Sequence, residues 1–331
     1  MIAMKLSVLP HLALTLSFAL GCVGLSPALA EPAYPVKPIS MIIPQGPGGG
    51  SDTLGRYVAE RVGKILNQPI VVENRPGAAG VLGAEAVKRS PPDGYTMLLG
   101  AIDTITAPLV NPATTLNAAT DFEPISQLAQ SPNVWVLSPG FEGKTMRDLV
   151  RIAGERPNQI DFASSGVGSM QHLGGELLNQ MAGIQLSHVP YKGGPAGFSD
   201  VIGGRVPSMV SGFQGALAQV SSGNVVAVAI TDTKRWDAMK DVPTVAEALD
   251  LPEYVAMNWQ GLFFPVGTPK ERVDIVADAV RQLMSDPTVQ KTLAELGYEP
   301  IGNTPDEFRK VISAEHEKWT QLIEKAGIQV Q

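Results

Sequence analysis

"PISMIIPQGPGGGSDTLGRYVAERVGKIL", residues 38–66, decides the fold. The apolar run Ile39–Ile43 enters a loop holding Gly46, Gly48, Gly49 and Gly50, and a helical pattern follows at once. Leu54, Tyr57, Val58, Val62, Ile65 and Leu66 recur at helical spacing and give that helix one apolar face. Ser51 or Asp52 is a ready N-cap. A buried strand, a tight loop and an amphipathic helix make the first half of a βαβ unit.

Working outward, "PIVVENR" reads as the next strand, "VLGAEAVKRS" as a short helix and "YTMLLGA" as a third strand. After the passage "TDFEPISQLAQSP" a second series begins: strand "NVWVLS", helix "TMRDLVRIAGERP", strand "QIDFASSG", helix "SMQHLGGELLNQMAG" and strand "IQLSHVPYKGG". The alternation continues through "VVAVAITD". Two such series predict an α/β protein of two domains, each a mainly parallel sheet flanked by helices, with a cleft between. The tail turns helical near Lys270–Met284, Pro287–Leu296 and Pro305–Ala326, and is read as returning to cover the first domain. The expected division is 31–127 plus 235–331 for domain 1 and 128–234 for domain 2.

The N-terminus reads as a signal peptide. Lys5 is the only charge before Glu31, Leu6–Leu25 is largely apolar, and "SPALA" places Ala28 and Ala30 in an A-x-A cleavage arrangement. Export with cleavage after Ala30 is therefore expected. The alternative is a membrane anchor, against which Pro10, His11 and Pro27 argue. Cys22 follows "FALG", but Ala19 stands where a lipidation motif has a larger aliphatic residue. Cys22 is the only cysteine, so the processed chain would have neither disulfides nor thiolate metal sites. The formal charge of −7, with no basic block, argues against nucleic acid and means that an anionic ligand needs strong local donors.

The glycine loop fits neither phosphate template. No lysine follows the glycines as G-x-x-x-x-G-K-[ST] requires, and G-x-G-x-x-G fails because Ser51 or Thr53 stands at its third glycine position. What survives is close backbone approach and the free N–H groups of a helix start, which suit an anion. A tight turn with no ligand is the other reading. A second loop repeats the pattern: Ser164, Ser165, Gly166, Gly168 and Ser169 in "DFASSGVGSMQHLGGELL" stand between a strand and a helix. If the two loops face each other, they can clamp one ligand. His172 and Glu176 share a helical face but lack a third metal ligand at recognisable spacing. No G-x-S-x-G elbow occurs.

Eight marks, "YPVKPI", "PGGGSD", "VVENRPGAAG", "PPDGYTMLLG", "DFASSGVGSMQHLGGEL", "HVPYKG", "DVPTVAEA" and "GLFFPVGTP", occur in this order. Together they resemble the solute-binding proteins of tripartite tricarboxylate transporters, the Bug family, from "YPVKPI" to "KAGI". The resemblance implies a type II-like periplasmic binding protein fold and a protein that delivers a small organic carboxylate to transporter membrane subunits. It implies no catalysis, no cofactor, no metal, and a monomer. The implied ligand-binding set is Gly48, Gly49, Gly50, Ser51 and Asp52 in the first loop and Ser164, Ser165, Gly168, Ser169 and His172 in the second. Asp103, Thr104, Tyr191, Phe213 and Gln214 complete it. Pro207 and Ser211 stand where relatives often carry acidic residues, and Asp103 where a small neutral residue is usual. Asp103 in the cleft would disfavour a second ligand carboxylate and favour an ammonium or hydroxyl; otherwise it faces solvent or caps a turn. A ligand-dependent sensor partner for a membrane receptor and a secreted α/β hydrolase are the alternatives.

Overall fold

The computed structural model describes Met1 and residues 34–328, so the expected signal segment and its cleavage point lie outside the described residues. The chain runs through β1 (Ile39–Ile43), α1 (Gly50–Ile65), β2 (Ile70–Asn74), α2 (Val81–Lys88), β3 (Thr96–Ala101), α3 (Asp103–Val110), α4 (Ala118–Asp121) and the long β4 (Phe122–Leu137). There follow α5 (Met146–Glu155), β5 (Asp161–Ser164), α6 (Met170–Ala182), β6 (Ser187–Pro190), α7 (Gly194–Ile202), β7 (Ser208–Gly212), α8 (Phe213–Ser221) and β8 (Val226–Ile230). Then come α9 (Val245–Leu249), β9 (Met257–Pro265), α10 (Lys270–Met284), α11 (Pro287–Glu295), β10 (Glu299–Pro300) and α12 (Pro305–Ala326).

Two groups of strands share β4. In the first, β1 lies parallel between β2 and β3, and β9 lies antiparallel between β3 and β4. In the second, β5 lies parallel between β6 and β7, and β4 runs antiparallel to β7 and β8. The change of partners is sharp. Residues from Phe122 to Pro132 pair with β9, and residues from Asn133 to Leu137 pair with β7. The boundary expected between 127 and 128 thus falls inside a continuous strand.

That strand is a correction to the sequence reading, which took "TDFEPISQLAQSP" as a passage between two series. Pro124, Pro132 and the polar pair Ser126 and Gln127 hide it. Register shifts between Pro124 and Ser126 and between Gln127 and Ala129 accommodate the irregular stretch. The buried polar groups are satisfied by one neighbour: the Ser126 hydroxyl donates to the Asn303 carbonyl (2.7 Å), and the Gln127 N–H donates to Asn303 Oδ1 (2.9 Å). Two further corrections concern helices. Asp103–Val110 forms α3, which the sequence reading missed, and α1 is capped at Gly49 rather than at Ser51 or Asp52.

One apolar cluster lies between the first sheet and the α1 and α10 helices, with Met41, Leu54, Val58, Leu99, Leu262, Phe264 and Val276 at its centre. A second cluster runs through both sheets, from Ile42, Phe263, Phe308 and Trp319 to Trp135, Phe162 and Leu173. The α12 helix packs on β4, α3 and also α6, so the tail covers more than the first half. Its start is fixed by a reciprocal cap, in which Thr304 accepts from the Glu307 N–H while the Glu307 side chain accepts from the Thr304 N–H.

Candidate functional site

The parallel strands β1 and β3 end side by side, and the segments that leave them carry the first group of expected residues. Beyond β1 the chain turns through Gly48, whose φ of +80° suits glycine, and enters α1. Among the described residues, the N–H groups of Gly49, Gly50 and Ser51 engage no protein acceptor. They are the unpaired donors that a helix start presents to an anion.

Asp52 turns inward instead. Its carboxylate accepts from the Gly48 N–H (2.9 Å), from Asn74 Nδ2 (2.9 Å) and from Arg56 Nε (3.0 Å), and so ties the loop to the end of β2. Burial pushes its pKa up, but the hydrogen bonds from Arg56, Gly48 and Asn74 outweigh burial and hold it at about 2. Tyr298 is a neighbour that the sequence reading missed. A Cβ at Gly50 would lie 2.7 Å from its hydroxyl, and burial lifts that phenol to about 12. Nothing local in "ELGYEP" signals the contact, because β10 brings it in from far along the chain.

In the second half, β5 leads through 165–169 into α6. Ser169 caps α6, accepting from the His172 N–H (3.3 Å) and donating to the Gly166 carbonyl (2.7 Å). Ser164 is fully buried, with its Oγ 2.6 Å from His188 Nε2. The Ser165 hydroxyl donates to Gln171 Oε1 (3.2 Å), and the Gly168 N–H donates to His172 Nδ1 (3.2 Å). Most polar groups of this loop are thus spent on its own shape. His172 and His188 stack at 3.8 Å beneath it. Burial pushes His172 down to about 4; burial and then the neighbouring His172 push His188 down to about 3.

Asp103 bridges the halves. It is the first residue of α3, half-buried, and its Oδ1 accepts from the Met170 N–H at the start of α6 (3.3 Å). Burial raises its pKa to about 6, against the lowering effect of that one hydrogen bond. Thr106 adds a second bridge, its hydroxyl donating to the Gly168 carbonyl (2.8 Å). Thr104 closes its own turn by accepting from the Ala101 N–H (3.2 Å).

Of the remaining expected residues, Tyr191 adjoins the second loop, its N–H donating to the Ser164 carbonyl (3.1 Å). The Tyr191 hydroxyl donates to Asp200 Oδ2 (2.6 Å). Phe213 is fully buried, and Gln214 Nε2 donates to the Gly297 carbonyl (3.0 Å), which fastens α8 to the segment before β10. Phe213, Lys234, Trp236, Tyr298 and Glu299 line a cavity of about 320 Å³ between the halves, crossed by the Lys234–Glu299 ion pair at 2.6 Å.

A serine and a histidine in contact raise the question of catalysis. Ser164 has no exposure, His188 is a weak base, and its ring faces Phe162 and His172. A nucleophile needs an accessible oxygen and a base poised near neutral pH. This pair has neither, and serves to brace the loop.

The family described as tripartite tricarboxylate transporter family receptor matches residues 54–328. Protein BugT of Bordetella pertussis is 32% identical over 309 residues, covering 92% of this chain and 94% of BugT. Among solved structures, the R. palustris protein Rpa4515 with adipate is 31% identical, with a TM-score of 0.82 over 89% of this chain and 99% of that one. The periplasmic binding protein BugD is also 31% identical, with a TM-score of 0.78 over 90% of this chain and 100% of its own. The sheets joined at β4 are thus the α/β fold of periplasmic binding proteins, and the chain belongs to the tripartite tricarboxylate transporter receptor family, the Bug-type solute-binding proteins.

Proposed function

We propose that this protein is a periplasmic solute-binding protein that holds a small organic carboxylate between its two halves and passes it to the membrane subunits of a tripartite transporter. The observation that carries the reading is the start of α1. Three unengaged N–H groups stand at the carboxyl end of β1, where open α/β sheets bind their ligands, and no lysine or arginine stands in the loop itself. Asp103, beyond the neighbouring strand of the same half, meets the α6 start of the other half through the Met170 N–H. Adipate, a dicarboxylate, occupies the similar R. palustris structure. The halves are the lobes, about 34–132 with 257–328 on one side and 133–230 on the other, joined by β4 and by the segment 231–256. The protein acts as a monomer and as a binder rather than an enzyme, a reading supported by the burial of the Ser164–His188 pair.

A thermal-shift screen with a panel of mono- and dicarboxylates tests the reading. Binding to the folded state raises stability by roughly 2.7 kcal/mol at a hundredfold excess over Kd. At least one carboxylate is expected to raise the midpoint in a concentration-dependent way. A panel that leaves the midpoint unmoved, or turnover of an ester abolished by Ser164→Ala, would sink the proposal.

A further inference from the structure

Asp103 is an uncompensated charge at the contact between the two halves. Its carboxylate stands at the start of α3, just beyond the end of β3. That strand is the parallel neighbour of β1, with Ile42 opposite Leu98. One oxygen takes the Met170 N–H of α6. Among the described residues no lysine or arginine pairs with it, and no second hydrogen bond reaches it. Asp52, the other carboxylate of the region, shows what compensation looks like here: a guanidinium, an amide and a backbone N–H on one side chain.

A half-buried carboxylate with one donor costs folding free energy unless a partner arrives. It also occupies a helix start that would otherwise be open to a ligand anion. A second ligand carboxylate brought here would meet a like charge and a donor already taken. A ligand ammonium would meet a free oxygen lone pair and an unneutralised charge.

We propose that Asp103 determines the specificity of the cleft and selects a ligand bearing one carboxylate and one amine, an amino acid or related zwitterion, over the corresponding dicarboxylate. The inference rests on the carboxylate-binding reading above and narrows it. The carboxylate end goes to the α1 start, where the N–H groups are unengaged, and the ammonium end goes to Asp103.

Matched pairs of ligands test this by calorimetry at pH 8, where Asp103 is ionised: succinate against 3-aminopropanoate, and adipate against 5-aminopentanoate. The members of each pair differ in one end group at equal chain length. For at least one pair, wild type is expected to bind the amine about tenfold or more tightly, the scale of one charge-assisted hydrogen bond. In Asp103→Asn that ratio is expected to fall to near one or invert, and Asp103→Ser should behave alike, which guards against a misfolded variant. Tighter binding of the dicarboxylates by wild type overturns the assignment of Asp103 but leaves the carboxylate reading standing. So does an amine preference that survives both substitutions. Failure of all four compounds and of the wider carboxylate panel overturns both.

Discussion

His172 and His188 illustrate how the site is held at the level of single residues. Stacked at 3.8 Å and mostly removed from water, both are neutral in the folded protein. Their folded pKa values lie below the unfolded value near 6.5, so the unfolded chain binds more protons as pH falls through that value. The stability that they contribute is complete above about 6.5 and is lost progressively toward about 4 for His172 and about 3 for His188. For His172 the loss by pH 5 is on the order of 2 kcal/mol. Asp103 acts in the opposite sense: its folded pKa of about 6 lies above the unfolded one, so protonation between about 6 and 4 favours the folded state. Urea unfolding is therefore expected to show lower stability at pH 5 than at pH 7.5, and a larger loss in Asp103→Asn, which lacks the opposing contribution. Equal or greater wild-type stability at pH 5 would mean that the imidazoles are not buried neutral. Residue types in the two loops are legible in the sequence, but the direction of each hydroxyl is not. Ser164, Ser165 and Ser169 look alike in "DFASSGVGSMQHL", and only the fold shows that each is engaged by a different neighbour.

At the scale of elements, α6 depends on a pair of glycines. Gly174 lets the Tyr254 hydroxyl reach its carbonyl (2.8 Å), and at Gly175 a Cβ would stand 2.2 Å from the buried Phe162 ring. Alanine is the better helix former by about 1 kcal/mol. Even so, Gly175→Ala is expected to destabilise by about 1–3 kcal/mol, because the ring has no room to retreat. Chemical denaturation of the variant checks this; a gain in stability would show that α6 can lift off β5 freely. The sequence marks "HLGG" as helix, yet periodicity says nothing of which glycine touches an aromatic ring. Elsewhere legibility follows physics as well. The α10 and α12 helices announce themselves by spacing and by prolines at their starts, α12 also by its Thr304 cap, and their spans agree with the sequence reading. The β4 strand does not, because its prolines and buried polar residues imitate a loop until β9 and Asn303 supply their partners. The α3 helix is short, holds Pro108 and begins without a side-chain cap, so no local signal marks it.

For the molecule as a whole, two chain passages join the halves, and they meet at one side chain. Asn133 Nδ2 donates to the Ala256 carbonyl (2.8 Å), while its Oδ1 accepts from Gln171 Nε2 (2.8 Å) and Asn258 Nδ2 (2.6 Å). Gln171 also accepts from Ser165, so the junction reaches into the second loop. If the halves close on a ligand, they turn about this point. Small-angle scattering with saturating amounts of the tightest carboxylate from the screen is expected to give a smaller radius of gyration than the free protein. An unchanged radius with binding verified in the same sample would rule out closure. The placement of β9 has a temporal side. The second sheet draws its central strands from one stretch, residues 133–230, so all its members exist once that stretch has left the ribosome. The first cannot be completed then, because β9 sits between β3 and β4 and is made last of the three. Until residue 265 emerges, β3 has an unpaired edge, and the nascent chain carries a finished half beside one that waits for its centre.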